Sequence, residues 1–303
     1  MTGKRQAYLY AAVAVLTWST VASAFKISLR YVSFIQLLFY ASLVSTVILF
    51  VILLLQNKLS ILGEYSKRDY VRSALLGFLN PFLYYIVLFK AYSLLPAQEA
   101  QPLNWTWPIT LAVLSVPLLK ERLRWTSMIA LAISFIGVLI ISTRGDILGF
   151  RFTNPGGVFL ALGSSIVWAL FWIYNVKDRR DAVAKLFLNF TFGSVYVVAA
   201  TLLFSESAVP EMKGLVGAIY VGLFEMGITF VVWLKALSLS ETTALVGNFI
   251  YVTPFLSLIV IRFVVGEEIV PSSIIGLVLI VMGIVVQQCS SRSRSTFRSD
   301  RNE

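Results

Sequence analysis

One acidic residue, Glu225, stands inside a long apolar run, twelve residues beyond Lys213. In a helix that distance is about 18 Å at 1.5 Å per residue. If the run crosses a bilayer, an ionised carboxylate there costs on the order of 2.5–3.5 kcal/mol. Two chemistries would use such a group: pairing with a cation such as an ammonium, or taking up and releasing a proton as its surroundings change. A neutral acid hydrogen-bonded to a neighbouring helix is the structural alternative. Other polar and aromatic residues share helical spacing in similar runs. Gln101, Asn104, Trp105 and Pro108 fall at i, i+3, i+4 and i+7, one helical face, and Gly77, Asn80, Pro81 and Tyr84 repeat the pattern. Gly222, Glu225, Thr229 and Trp233 make a third set, and Asn248, Tyr251 and Pro254 a fourth. Trp18 and Trp168 lie deep in their own runs. Amides can hydrogen-bond a carboxylate, Glu225 can meet an ammonium, and aromatic faces stack on side chains or hold cations. The combined set of Trp18, Asn80, Tyr84, Gln101, Asn104, Trp105, Trp168, Glu225, Thr229, Asn248 and Tyr251 suits a small zwitterion with an apolar side chain. Helix-to-helix glue is the other role open to the amides. Pro81, Pro108 and Pro254 each remove an intrahelical hydrogen bond, which makes them candidate hinges or static bends.

The missing residues narrow the chemistry further. The chain has no histidine and a single cysteine, Cys289, so it lacks the usual neutral-pH base, a Cys-based metal site and an intrachain disulfide. No phosphate-binding P-loop occurs, and no cofactor is expected. A membrane-embedded enzyme would need a catalytic cluster that these residues do not supply. The net charge of +10 raises the question of nucleic acid. The Lys and Arg residues, however, fall between apolar runs and form no stripe on a soluble surface.

The elements that must hold these groups follow from composition. The chain is 58% hydrophobic and 13% charged, against roughly 45–50% and about 25% in soluble domains. It must use lipid as its solvent. Ten apolar runs of membrane-crossing length are read at 7–28, 32–55, 71–94, 98–118, 125–142, 156–175, 185–204, 214–239, 243–265 and 271–288. A polar tail, 290–303, is expected to be disordered. Lys4 and Arg5, an apolar run and Ala22-Ser23-Ala24 imitate a cleavable signal; the partner of this span in the second half favours a retained helix. With the N-terminus cytoplasmic, seventeen Lys and Arg residues fall on inner segments and five on outer ones. That bias places the protein in the cell membrane with both termini cytoplasmic, which requires an even number of spans.

The second half echoes the first. Pro108, Glu121 and Gly137 recur as Pro254, Glu267 and Gly283 at the same two spacings, thirteen and sixteen residues. Phe-Lys-Ala-Tyr-Ser-Leu at 89–94 matches Leu-Lys-Ala-Leu-Ser-Leu at 234–239, and Trp18 and Trp168 sit at similar depths. The fold expected is all-α, ten transmembrane helices in two five-helix repeats, 1–145 and 146–289. An odd number per repeat inserts the second copy upside down. Asn80 then corresponds to Glu225, and Trp105 to Tyr251. Glu121 and Glu267 are read as helix-start or inter-helix contacts. Lys26, Lys90 and Lys235 lie near span ends, where their ammonium groups are expected to snorkel. The sequons at Asn104 and Asn189 lie inside spans and are noise.

These residues also carry a resemblance. Trp-Pro-Ile-Thr-Leu…Leu-Lys-Glu-Arg-Leu…Gly-Val-Leu-Ile at 107–140 resembles the end of a repeat in the drug/metabolite transporter superfamily, in its ten-helix EamA-like branch. So does Thr-Pro-Phe-Leu…Gly-Glu-Glu-Ile…Gly-Leu-Val-Leu-Ile-Val-Met-Gly at 253–283, while Thr17-Trp18-Ser19 with Lys26 resembles that family's first helix. The second copy, opening at Pro155-Gly156-Gly157, departs by lacking the first-helix Lys. The resemblance implies carrier-type export of amino acids, metabolites or drugs, with or without proton coupling. A multidrug or organic-cation exporter of the same fold, a passive channel and a membrane-embedded enzyme are the alternatives. A small-molecule substrate and the lipid bilayer are the expected partners; oligomeric state is not read from the sequence.

Overall fold

The computed structural model describes residues 3–119, 125–149, 152–204, 210–239 and 248–299. The described residues are helical, with no strand among them. In chain order the helices are α1 (Gly3–Ser28), α2 (Phe34–Leu55), the short α3 (Ser60–Glu64), α4 (Lys67–Gly77), α5 (Tyr84–Leu94), α6 (Ala97–Asn104), α7 (Trp107–Leu119), α8 (Trp125–Ser142), α9 (Pro155–Val176), α10 (Ala182–Phe204), α11 (Met212–Phe224), α12 (Ile228–Leu239), α13 (Thr253–Val260) and α14 (Pro271–Ser299). Among the described residues, six stretches are long and apolar enough to cross a membrane: Arg5–Ser28, Phe34–Leu55, Lys67–Leu94, Pro155–Asn175, Ala182–Phe204 and Met212–Leu239. Shorter apolar helices cover Met128–Ser142, Phe249–Val265 and Pro271–Val286. Large apolar side chains such as Leu55, Leu202 and Phe263 stay exposed around the bundle, as a lipid-facing surface requires.

Local chemistry sets the helix starts. Ser33 and Gln36 form a capping box before α2, as Ser66 and Asp69 do before α4. Asn154 caps α9, whose first residue is Pro155. Single helices bent at Pro81, Pro108 and Pro254 are expected over these runs, and here the structure differs. Between α4 and α5 the chain makes a wide turn, Phe78–Leu83, where Asn80 leaves helical geometry at φ −147°, ψ 118°; the residue before a proline is pushed out of the α region. The run 98–118 is two helices joined at Trp105 and Thr106. Pro108 has no N–H to return to Asn104, so α6 ends there and α7 restarts with Pro108 in its first turn. Pro254 likewise sits in the first turn of α13, after a tight turn of helix over Asn248–Val252. The eighth run breaks after Phe224 and resumes at Ile228. The tail also departs from expectation: α14 continues to Ser299, since neither proline nor glycine interrupts that stretch. Residues 300–303 lie outside the described residues.

Packing follows the small residues. α8 and α14 lie along one another, and a Cβ at Gly137 would come within 2.6 Å of the Gly276 carbonyl. α10 packs on α2, on α4 and on the wide turn, where a Cβ at Gly77 would strike the Asn189 carbonyl. α5 packs on α9, while α1 packs on α11, α12 and α13. Such contacts bring backbones together where lipid supplies no hydrophobic drive between helices.

Candidate functional site

The break between α11 and α12 places Glu225. The N–H of Glu225 still bonds the Val221 carbonyl at 2.9 Å, ending α11, and the Thr229 hydroxyl donates to the Phe224 carbonyl. The glutamate side chain is buried and accepts a hydrogen bond at 3.1 Å from the hydroxyl of Tyr85 on α5, itself wholly buried. Glu225 is thus held at mid-span against a neighbouring helix.

Aromatic rings from four helices form a wall beside this pair. Trp18 on α1 meets the edge of Phe230 on α12 at 6.0 Å and tilts against Trp233 at 5.6 Å. Phe230 lies 5.8 Å from Trp168 on α9, and Trp168 lies 4.6 Å from Tyr84 on α5. The wall continues into a polar relay: the Tyr84 hydroxyl donates to Asn104 Oδ1 at 3.3 Å, and Asn104 Nδ2 donates to Ser164 Oγ at 2.9 Å. One region therefore joins a carboxylate, a tyrosine pair, an amide and tilted indoles, a surface that can accept an ammonium and cover an apolar side chain.

Trp18, Tyr84, Asn104, Trp168 and Glu225 are brought together in this way. Asn80 is fully buried in the wide turn one helical turn before Tyr84, with Pro81 beside it. Gln101 is buried on α6 and its Oε1 makes no hydrogen bond. Trp105 lies in the α6–α7 joint and Tyr251 in the turn before α13, both half-buried. Thr229 is buried and holds the helix break. The Asn248 side chain lies outside the described residues, as does Glu121. Tyr85, Phe230 and Ser164 are not among the residues the sequence singles out, and Asn189 stands there only as part of a sequon.

Polar contacts tie the two ends of the bundle. At the end holding the α5–α6 corner, Glu267 accepts the N–H groups of Ala97 at 2.8 Å and Gln98 at 3.1 Å, capping α6 from the second half. The Gln98 side chain donates to the Glu268 carbonyl and accepts from the Val270 N–H. Arg144 pairs with buried Glu99 at 2.7 Å. Lys26 donates to the carbonyls of Tyr92 and Leu95 at 3.0 and 2.6 Å instead of snorkelling, because the last carbonyls of α5 need donors. At the opposite end Lys58 meets Asp181 at 2.7 Å. Arg180 there grips Asp178 at 2.6 Å, the Asp69 carbonyl and Ser73. Burial pushes Asp178 up, but the Arg180 hydrogen bonds and charge outweigh it and hold the carboxyl below its ordinary range. Asp181 is likewise pushed up by burial and drawn below its ordinary range by Lys58. Among the described residues no group of His, Cys, Asp or Glu could hold a metal ion.

A family model described as the EamA-like transporter family matches twice, over residues 5–143 and 155–287. An uncharacterized transporter of Clostridium kluyveri is 24% identical over 64% of this chain; the match spans 65% of that relative, just under two thirds of its length. The uncharacterized transporter YvbV of Bacillus subtilis is 26% identical over 77% of this chain and 76% of its own. A protein of Ancylobacter novellus named aromatic amino acid exporter YddG is 26% identical over 70% of this chain and 74% of its own. A solved crystal structure covers 96% of this chain and 99% of its own at TM-score 0.63 and 22% identity, which shows a shared fold. With its apolar helices and this double match, the protein is a multi-pass membrane protein. The chain belongs to the EamA-like transporter family.

Proposed function

We propose that the chain is a secondary carrier that exports amino acids or similar small organic metabolites by alternating access. The observation that carries this reading is the Tyr85–Glu225 pair, a carboxylate held at a helix break and walled by Trp18, Phe230, Trp168 and Tyr84. Glu225 would receive the ammonium and the rings would cover the side chain. Irregular backbone at membrane depth is tolerated where protein buries it or a cavity meets it, and carriers with inverted repeats use such discontinuous helices for binding. The breaks here fall in the third, fourth and eighth expected runs, of which the third and eighth are repeat partners.

The reading includes ten crossings in two inverted halves, 1–145 and 146–289. The double match of one family model supports the halves, and the Lys and Arg bias supports cytoplasmic termini in the cell membrane. Glu225 is the candidate proton carrier. Pro81, Pro108 and Pro254 flank the breaks about which one half would rock against the other. The relative named as an aromatic amino acid exporter supports trying aromatic amino acids first.

The test is counterflow in proteoliposomes preloaded with unlabelled amino acids, following entry of labelled ones. Saturable exchange supports the carrier. Flux without counterflow would convert it to a channel, and no flux with any amino acid would remove the substrate class. A second reading, export of organic cations, is favoured by one observation: the site joins one carboxylate to tilted rings, while Lys26 gives its ammonium to backbone carbonyls. Stronger competition by an aromatic amine than by its amino acid would select it.

A further inference from the structure

Asn80 and Asn189 are the only two side chains among the described residues that are wholly buried with both polar atoms of the amide unpartnered. They belong to one helix crossing. A Cβ at Gly77 would strike the Asn189 carbonyl, and a Cβ at Gly193, one turn on, would strike the Pro81 ring. Asn80 lies between Gly77 and Pro81, and Asn189 one turn before Gly193, so both amides sit within a turn of the same contact.

That crossing adjoins the site. Phe190, next to Asn189, lies 6.4 Å from Phe230 in the aromatic wall. Ser194 shares a hydrogen bond with Thr46 at 2.9 Å, and Ser45 on the same helix bonds the Met226 carbonyl, beside Glu225. Four unpaired amide atoms cut off from water are unfavourable in a membrane interior, so the crossing is built to receive hydrogen bonds that the protein itself does not supply.

We infer that Asn80 and Asn189 form a paired-amide site for the carboxylate of the carried solute. This rests on the amino-acid reading above. Two primary amides offer four N–H donors, enough for both oxygens of a carboxylate, and they carry no charge. A neutral site holds an anion without leaving a bare cation in the membrane when empty, a penalty that Lys or Arg would incur. The two amide oxygens remain to accept from an ammonium, and Glu225 supplies the charge for that end. A solute with both groups would be gripped at both, whereas an amine without the carboxylate would engage Glu225 and the rings alone.

The experiment measures inhibition of labelled phenylalanine counterflow by phenylalanine and by 2-phenylethylamine, in wild type, Asn80→Ala, Asn189→Ala and the near-isosteric Asn189→Asp. Removing a buried hydrogen-bonding partner should weaken phenylalanine by about tenfold or more while phenylethylamine moves about twofold or less. Asn189→Asp, which keeps the shape, should weaken phenylalanine selectively by setting acid against acid. Equal weakening of both inhibitors in every variant that exchanges would make the amides structural glue and overturn the assignment. If wild type exchanges no amino acid at all, the amino-acid reading fails first and takes the assignment with it; if it exchanges another one, that amino acid and its decarboxylated amine replace the phenylalanine pair.

Discussion

Glu225 and Tyr85 share one hydrogen bond, and its two ends can be tested separately. Glu225→Gln keeps the shape and the acceptor oxygen but cannot titrate. It is expected to leave the protein folded and to abolish the response of exchange to an imposed pH gradient, measured in proteoliposomes at fixed solute concentration. A gradient response that survives would place the proton elsewhere. Tyr85→Phe removes only the hydroxyl that Glu225 accepts from. Leaving a buried acid without its donor is expected to cost about 1–3 kcal/mol, read as a lower midpoint of thermal unfolding in detergent. Much of this neighbourhood was legible, because Trp18, Tyr84, Asn104, Trp168 and Glu225 stand out as polar or aromatic residues in apolar runs. Tyr85 was not, for a physical reason. Neighbouring residues of a helix point about 100° apart, so a face drawn with regular spacing that includes Tyr84 leaves Tyr85 out. The wide turn at Phe78–Leu83 changes the register just before both, and the two tyrosines serve different partners. Phe230 was hidden because phenylalanine is ordinary filler in an apolar run. Asn189 was set aside as a sequon.

At the scale of elements, hydropathy read the apolar runs and not their interruptions. A break at Asn80, Trp105 or Glu225 leaves the apolar content of the run unchanged, while neighbouring helices satisfy the freed backbone groups. Proline marks two of these places, and Pro108 and Pro254 stand in the first turns of helices where kinks within them are expected. The close contacts give a prediction of sign. Alanine has the higher helix propensity, so Gly→Ala in a helix interior should stabilise by about 0.5–1 kcal/mol where space exists. Gly163 has nothing within 4 Å of a new Cβ, and Gly163→Ala should be neutral or raise the unfolding midpoint. Gly137→Ala must part α8 from the Gly276 carbonyl, and overpacking of this kind costs about 1–3 kcal/mol. Thermal unfolding of the pair in one detergent should move in opposite directions. Equal shifts would show that the α8–α14 contact gives way without strain.

At the scale of the molecule, each end of the bundle is tied by polar bonds between helices distant in the chain, and a carrier must loosen one end at a time. Glu267, Gln98, Arg144 and Lys26 close the end with the α5–α6 corner; Arg180, Asp178, Lys58 and Asp181 close the other. Bonds made only in a closed state set its population, so removing them shifts the balance toward opening at that end. Glu267→Ala should raise the labelling rate of a cysteine placed at buried Gln101, in a Cys289→Ser background, by a membrane-impermeant maleimide added from the α5–α6 side; Asp181→Asn should not. The opposite end also bears on the pH response. The carboxyls of Asp178 and Asp181 lie below their ordinary range when folded. Their stabilisation is therefore complete above the unfolded value of about 3.9 and disappears only as pH falls through the lower folded value. Between pH 5 and 8 these ties keep constant strength, and Asp178→Asn and Asp181→Asn should change the rate of exchange without moving its pH midpoint. A midpoint that moved with either variant would take the proton away from Glu225 and give it to the Arg180 cluster.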